Sequence, residues 1–325
     1  MSDQSIDRPN AGILFICAGV VAISANDMLI KYLSGGYPLH QMIFIRSGIA
    51  LLFSFGLVRM EGGLRILRTD RPLLHLLRGA LVVFANMTFY AAAAVMPLGQ
   101  ATALFFAAPL FITLLSIPLL GEKVGLPRIA AVLAGFAGVM IMQRPWEADL
   151  EQARWVLMLP VIAAALYALL QVLTRRLGVT SPASALAVYN QLTFLLVSTA
   201  FFLVAGDGHL AEGVQNDSLR FLLRPWVWPP AADWPLFIAV GLCSGVIGYC
   251  LSAAYRLAAA ATIAPFEYLG LPLAFAWGFV IFGEIPLPST ALGCLLILGS
   301  GLVVFLRERR HGRPQPGRRR LWGRR

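Results

Sequence analysis

Residues 101–141 read ATALFFAAPLFITLLSIPLLGEKVGLPRIAAVLAGFAGVMI, and residues 261–304 read ATIAPFEYLGLPLAFAWGFVIFGEIPLPSTALGCLLILGSGLVV. Both segments begin with Ala-Thr, carry Pro-Leu in the middle of an apolar run, and end that run in Gly-Glu. After a further proline, both continue into a second apolar run rich in small residues. The segments lie about 160 residues apart, roughly half the chain, so the sequence indicates an internal repeat.

The composition places both segments in a membrane. Of the 325 residues, 58% are hydrophobic and only 13% are charged, whereas soluble domains carry about 25% charged residues. This composition excludes a soluble enzyme, a disordered chain and a coiled coil. A spanning helix needs about 20 apolar residues, and the chain has roughly 190, which leaves room for nine or ten spans.

Apolar runs of spanning length recur along the chain, separated by short polar breaks that contain glycine or proline. They are long and lack the alternation of strands, so they are predicted to be helices. The sequence therefore predicts an all-α polytopic membrane protein with ten transmembrane helices. The predicted spans lie near residues 11–33, 39–60, 72–94, 97–119, 126–143, 154–176, 182–204, 234–256, 260–282 and 287–306.

The repeat divides these ten spans into two halves. Because each half has an odd number of spans, the second half must lie upside-down relative to the first. Such a 5+5 inverted repeat is the architecture of carriers that alternate access around a site near the membrane midplane. The predicted organisation is an N-terminal tail at 1–10, a first half at 11–147, a second half at 150–306 with an outer loop at 205–233, and a basic tail at 307–325.

The basic residues predict the orientation. Lysines and arginines number 19 on the side of the two termini and five on the opposite side. The positive-inside rule then predicts a multi-pass cell (inner) membrane protein with both termini in the cytoplasm. Nine of the arginines lie in residues 307–325, so the formal net charge of +10 belongs mostly to a tail. We expect this tail to touch anionic lipid of the bilayer and predict no nucleic-acid partner.

These features resemble the drug/metabolite transporter superfamily, in particular its EamA family. The resemblance rests on the paired Pro…Gly-Glu…Gly segments and the 5+5 spans, and it covers about residues 11–306. The opening segment Ala25-Asn26-Asp27-(x)3-Lys31-Tyr32-Leu33, followed by Phe44-x-Arg46, is also similar to that of some riboflavin and S-adenosylmethionine carriers. The resemblance implies a carrier and leaves the substrate open.

Five charged side chains lie within the predicted spans, where each costs about 2.5–3.5 kcal/mol at mid-bilayer. Counted at about 1.5 Å per residue, Asp27 and Arg46 share a level in the outer half, and Arg78 and Glu267 share one in the inner half. We therefore predict two ion pairs, which either hold helices together or gate and bind a substrate. Lys31 is expected to reach the membrane surface or to compete for Asp27. The excess of one positive charge mildly favours a substrate with a carboxylate or a polarised ring system.

Other polar and aromatic side chains on the same spans predict a cavity for a small-molecule substrate. Any one of them taken alone is better explained by contacts that hold helices together. As a set, they combine aromatic walls with a few fixed hydrogen-bonding groups. The predicted substrate-binding or gating residues are Asp27, Arg46, Arg78, Glu267, Asn26, Lys31, Asn86, Tyr90, Thr102, Tyr167, Gln171, Tyr249, Tyr268 and Trp277.

Three further features concern motion, packing and the longest loop. Pro109 and Pro272 each remove a mid-span hydrogen bond and are predicted hinges, with a tolerated kink as the alternative. The small residues of the fifth and tenth spans are expected to pack within the chain, or in a homodimer. In the outer loop, Trp226 and Trp228 are expected in the headgroup layer, and a flap over an entrance is the alternative.

The sequence has no P-loop, no dinucleotide-binding motif and no His-Glu-x-x-His. The four cysteines and four histidines have no ligand spacing. We therefore predict no catalytic residue, no metal, no cofactor and no enzyme activity. Two classes of function remain: a gradient-driven carrier of a small polar or aromatic metabolite such as an amino acid or vitamin, including riboflavin or S-adenosylmethionine uptake, and a non-transporting scaffold or an intramembrane enzyme of unrecognised type. The repeat and the intramembrane charges favour the carrier.

Overall fold

The computed structural model describes residues 9–69, 72–121, 126–143, 151–176, 183–257 and 266–311. The regular elements of these residues are α-helices and short 3-10 turns. The helices are α1 Pro9–Leu33, α2 Leu39–Glu61, α3 Pro72–Ala93, α4 Leu98–Phe105, α5 Ala108–Leu120, α6 Leu126–Gln143, α7 Glu151–Arg176, α8 Ala183–Ala205, α9 Asp217–Leu223, α10 Trp234–Leu257, α11 Gly270–Phe282 and α12 Pro288–His311.

Helix length and hydropathy confirm an all-α polytopic membrane protein. Within the described residues, seven segments are long and apolar enough to cross a bilayer, with α4 and α5 together forming one of them. Three shorter apolar helices, Ile129–Met142, Gly270–Phe282 and Pro288–Ser300, lie where the fifth, ninth and tenth spans are predicted. The number ten stays a prediction.

The packing of the helices follows the repeat. α1 packs against α10, and α7, the counterpart of α1 in the second half, packs against α3. α2 likewise contacts α10, while α8 contacts α3. α2 packs on α8 and α6 on α12, so each of these helices meets its own counterpart, and α4 of the fourth span packs on α11 of the ninth. Two halves related by a two-fold axis would give this set of contacts.

The small residues of α6 and α12 pack against each other within the chain. A Cβ atom on Gly138 would lie 2.7 Å from the carbonyl oxygen of Gly293, and one on Gly293 would lie 2.6 Å from that of Gly138. Only glycine allows the two backbones to approach this closely. The small residues of these two helices therefore pack within the chain, which is one of the two expected arrangements. A homodimer stays a prediction.

The fourth span is broken. α4 ends at Phe105 and α5 begins at Ala108, and the amide of Leu110 donates to the carbonyl of Ala107 across the break at 3.0 Å. Pro109 lies in the first turn of α5, where a missing amide costs little.

The ninth span has the same features as the fourth. Pro272 lies in the first turn of α11. α5 and α11 are both 13 residues long, and each ends at a glycine in the left-handed conformation, Gly121 with φ 69° and Gly283 with φ 65°. The prolines therefore mark the beginnings of two equivalent half-helices.

Residues 206–233, which we call the strap, cross one face of the helix bundle. The side chain of Gln41 forms two hydrogen bonds with the backbone of Val227, at 2.5 and 3.1 Å. Nδ1 of His40 contacts the carbonyl oxygen of Leu222 at 3.0 Å, and the hydroxyl of Ser218 donates to that of Ala91 at 2.7 Å. The strap therefore binds the ends of α2 and α3. We call this side of the bundle the loop face.

The two strap tryptophans differ in their surroundings. Trp228 is 84% exposed, as a headgroup position requires. Trp226 instead packs its ring against His40, Phe44 and Phe202 at 4.5–5.9 Å between ring centres. Trp226 is thus half-buried where the strap folds onto α2 and α8, and a headgroup position stays a prediction for both rings.

Candidate functional site

A cluster of hydrogen-bonded polar side chains joins α1, α3 and α10. The hydroxyl of Tyr90 donates to Oδ1 of Asp27 at 2.8 Å. Nδ2 of Asn26 donates to the Tyr90 oxygen at 2.8 Å and reaches Oδ1 of Asp27 at 3.3 Å. The hydroxyl of Ser244 donates to Oδ1 of Asn26 at 3.1 Å. Asn26 and Tyr90 are only 2% and 5% exposed, so these bonds are made away from water.

Arg46 of α2 completes this group, which we call the polar cluster: Asn26, Asp27, Arg46, Tyr90 and Ser244. Arg46 attracts the Asp27 carboxylate electrostatically. Its guanidinium carbon lies 5.8 Å from the ring centre of Tyr90 and 5.1 Å from that of Phe194. Its Nε atom is buried without a hydrogen-bond partner among the described residues. The structure thus brings Asp27 and Arg46 together, with Tyr90 beside both.

Lys31 lies in neither of the two predicted places. Its Nζ atom forms an ion pair with Oε1 of Glu284 at 2.6 Å and also donates to the carbonyl of Met96. The other carboxylate oxygen of Glu284 accepts a hydrogen bond from the amide of Leu98 at 2.9 Å. Both side chains are largely buried, with 9% and 18% of their surfaces exposed. We call this contact the loop-face ion pair.

Two glycines position Glu284. Gly283, in the left-handed conformation, ends α11 and turns the chain back, so that the amide of Glu284 donates to the carbonyl of Gly278 at 2.9 Å. A Cβ atom on Gly278 would lie 2.8 Å from the Glu284 carboxylate. Leu98 is the first residue of α4, and the positive end of a helix dipole favours a carboxylate there. Sequence reasoning missed this role, although the repeated Gly-Glu was its signal.

A row of aromatic rings runs from the polar cluster toward α7. Phe89 lies 5.4 Å from Tyr90 and 5.5 Å from Phe105 between ring centres, and Phe105 lies 5.5 Å from Tyr167. The next residue, Phe106, faces Tyr268 at 5.5 Å. Two consecutive rings thus face different partners, as neighbouring residues of a helix do. We call Tyr90, Phe89, Phe105 and Tyr167 the aromatic row.

The second predicted ion pair involves Arg78 and Glu267. Glu267 lies within electrostatic range of Tyr167 and Tyr268, which places it at the far end of the aromatic row. Arg78 of α3 interacts electrostatically with His75. The pairing of Arg78 with Glu267 stays a prediction.

The remaining predicted residues fall into two groups. Gln171 hydrogen-bonds to Tyr167. Thr102 and Trp277 each bury a polar atom that has no hydrogen-bond partner among the described residues, which leaves it available to a ligand.

Asn86 and Tyr249 make less specific contacts. The amide of Asn86 donates to the carbonyl of Val82 in its own helix at 3.2 Å. Tyr249 is 39% exposed and packs edge-on against Phe15. Tyr249 therefore lies at the perimeter of the bundle.

A small cleft of about 50 Å³ adjoins the loop-face ion pair. The residues that line it include Gln100 of α4, Phe275 of α11, Thr290 of α12 and, between α11 and α12, Glu284. Glu284 therefore belongs to the ion pair and also lines the cleft. Within the described residues, no group of three or more His, Cys, Asp or Glu side chains could hold a metal ion.

Comparison with known proteins gives a consistent result. The profile of the EamA-like transporter family matches residues 10–144. A riboflavin transporter of Rhizobium johnstonii is 32% identical over 94% of this chain and 94% of its own length. An S-adenosylmethionine uptake transporter of Rickettsia prowazekii is 25% identical over 92% of this chain and 94% of its own. A crystal structure with 20% sequence identity has the same fold, with a TM-score of 0.63 over 93% of this chain and 99% of its own.

Proposed function

This chain belongs to the EamA-like transporter family, and we propose that it is a gradient-driven carrier that moves a small metabolite across the membrane by alternating access. The observation that carries the proposal is the polar cluster. Asp27 and Arg46 are opposite charges inside the helix bundle, and neutral hydrogen-bonding groups hold them in place. Intramembrane charges of this kind mark substrate or ion pathways. No catalytic role is assigned to any residue.

The architecture of the proposed carrier is a 5+5 inverted repeat of residues 11–147 and 150–306. It is supported by the paired contacts of the helices and by the equal lengths and glycine ends of α5 and α11. The broken spans meet where α4 packs on α11, and interrupted helices commonly form the binding sites of such carriers.

The proposed substrate is a neutral metabolite with a planar ring system, of which riboflavin is the first to test. Two features support it: the 32% identity to a riboflavin transporter and the aromatic row, whose rings suit stacking against a planar ligand. The charge count supports only the absence of a net charge on this substrate. Glu284 pairs with Lys31 inside the protein, so three positive and three negative side chains balance, and the excess of one positive charge disappears.

S-adenosylmethionine, a sulfonium cation, is the second candidate. The carboxylates of Asp27 and Glu267 each lie beside a tyrosine ring, a combination that also holds cations. The relative from Rickettsia prowazekii is named as an uptake transporter of this compound.

The proposed location is the cell (inner) membrane, with both termini in the cytoplasm and the loop face outside. The distribution of lysines and arginines supports this orientation.

The test is uptake of labelled riboflavin into liposomes that contain the purified protein, with thermal unfolding measured in parallel. A ligand at 100 times its dissociation constant stabilises the folded state by about 2.7 kcal/mol, so the carrier should unfold at a higher temperature with riboflavin. Flux and stabilisation by S-adenosylmethionine instead would favour the second candidate. Neither flux nor stabilisation across a broad metabolite panel would favour a non-transporting scaffold.

A further inference from the structure

The loop face is held together in two different ways. On one side, the strap binds the ends of α2 and α3 through many separate contacts. Besides those of His40, Gln41 and Ser218, Arg224 donates to the carbonyls of Ser34 and Gly35 in the α1–α2 turn. Because these bonds are numerous and mostly reach backbone atoms, no single side-chain rearrangement releases the strap.

On the other side, one carboxylate holds three elements together. Glu284 comes just after α11, its partner Lys31 lies on α1, and the amide that it accepts belongs to Leu98 at the start of α4. Met96, just before α4, accepts from the same lysine. Movement of Glu284 alone would therefore break the polar contacts that join the end of α11 to both α1 and α4.

The polar cluster lies beneath the ion pair. Lys31 is one turn beyond Asp27 on the same face of α1. Ser24 lies a further turn inward on this face and is 4% exposed, and its hydroxyl has no hydrogen-bond partner among the described residues. From Lys31 to Ser24 the helix rises about 10 Å. Opening at Lys31 would therefore lead along α1 to Asp27 and then to Ser24.

We propose that the loop-face ion pair is the releasable gate of the carrier, and that substrate passes the loop face beside Glu284, through the cleft lined by Gln100 and Phe275, rather than through the strap. This inference rests on the proposed carrier function. Glu284 acts as a positioning residue: while paired, it keeps α11 against α1 and α4, and when released it opens the cleft toward Asp27.

The test measures access to Ser24 from each side of the membrane. Ser24→Cys is introduced after the four native cysteines have been replaced, and a membrane-impermeant thiol reagent is applied to spheroplasts and, separately, to inside-out vesicles. We expect Glu284→Gln to raise the labelling rate about tenfold from the side of the loop face and to lower it from the opposite side. Lys31→Glu with Glu284→Lys re-forms the charge pair in reverse but loses the hydrogen bonds to Leu98 and Met96, so it should return both rates only part of the way to those of the parent.

Asp233→Asn is the matched control, because it also removes a carboxylate from the loop face. It weakens the 2.5 Å hydrogen bond from Tyr37 to the strap and should leave both labelling rates within about twofold of the parent. A general loosening of the protein would raise labelling from both sides, and that result would overturn the gate. So would unchanged labelling in a Glu284→Gln protein that unfolds at the parent temperature.

Labelling needs no substrate, so the two proposals fail separately. A side-dependent change in labelling without riboflavin flux would keep the gate and reject the substrate. Riboflavin flux with parent-like labelling in Glu284→Gln would keep the carrier and reject the gate.

Discussion

Replacing Tyr90 with phenylalanine removes one oxygen atom from the centre of the polar cluster. That oxygen donates to Asp27 and accepts from Asn26, each at 2.8 Å. Without it, Asp27 retains the longer 3.3 Å contact with Asn26 and the attraction of Arg46. Hydrogen bonds to charged groups are worth about 1.5–3 kcal/mol in soluble proteins, whereas those between membrane helices average about 0.6 kcal/mol. We therefore expect Tyr90→Phe to destabilise the protein by about 0.6–3 kcal/mol.

Tyr90→Phe should also slow transport, which is measured separately from folding. If the Tyr90 hydroxyl orients Asp27 for the substrate, the loss of about 1.4 kcal/mol at this step lowers the uptake rate tenfold. The assay is initial-rate riboflavin uptake into liposomes at equal protein content, with thermal unfolding measured on the same sample.

Tyr32→Phe provides the control, because it removes a hydroxyl from a tyrosine of α1 that is 59% exposed. This variant should unfold and transport like the parent. Parent-like uptake by Tyr90→Phe would refute the functional interpretation of the cluster and leave it as a contact that only holds helices together.

Three further predictions test the packing, the gate and the strap. Gly293→Ala places a Cβ atom 2.6 Å from a backbone oxygen of α6, so it should lower the free energy of unfolding by about 1–3 kcal/mol and the unfolding temperature in detergent. The control Gly299→Ala meets nothing within 4 Å and should unfold like the parent; equal unfolding temperatures of the two variants would contradict the close contact. Gly278→Ala places a Cβ atom 2.8 Å from the gate carboxylate and should change the side-dependent thiol labelling in the direction expected for an open gate; parent-like labelling would argue against that position for the carboxylate. Burial and the Asp233 carboxylate raise the pKa of Tyr37 to about 12, so the stability from this neutral phenol is complete below pH about 10 and is lost as the pH rises through 12; an absorbance titration should show the pKa falling in Asp233→Asn.

Much of the fold can be predicted from the sequence, because lipid solvation leaves few alternatives for a long apolar run. The predicted first, second, third, seventh and eighth spans end within a few residues of α1, α2, α3, α8 and α10. The rise per residue is enough to place Asp27 and Arg46 at one level, since both lie on unbroken helices. Tyr90, which lies beside both, is predicted as a polar residue of α3, but its role as the bridge depends on the rotation of three helices.

The role of Glu284 cannot be found by the same counting. A depth estimate ends at the last helical residue and treats the residues beyond it as loop. Here the chain turns at Gly283 and the carboxylate folds back over Gly278 to reach α1 and α4. That position depends on a left-handed backbone and on the missing Cβ of a residue six positions earlier. The sequence shows that glycines stand at these two positions, but it does not show which atoms occupy the space that a side chain would otherwise fill.

The two prolines are predicted hinges at their own positions, but the interruptions lie upstream of them. A proline ring disturbs the carbonyl four residues before it, which is that of Phe105 for Pro109 and that of Tyr268 for Pro272. The turns of the fourth and ninth spans begin just there, at 106–107 and 268–269. Each interruption carries an aromatic residue, and Phe106 faces Tyr268 across the two halves. The residues that would bend during transport are thus the ones that hold these rings, so a planar substrate stacked between them would couple its own binding to the movement of both half-helices.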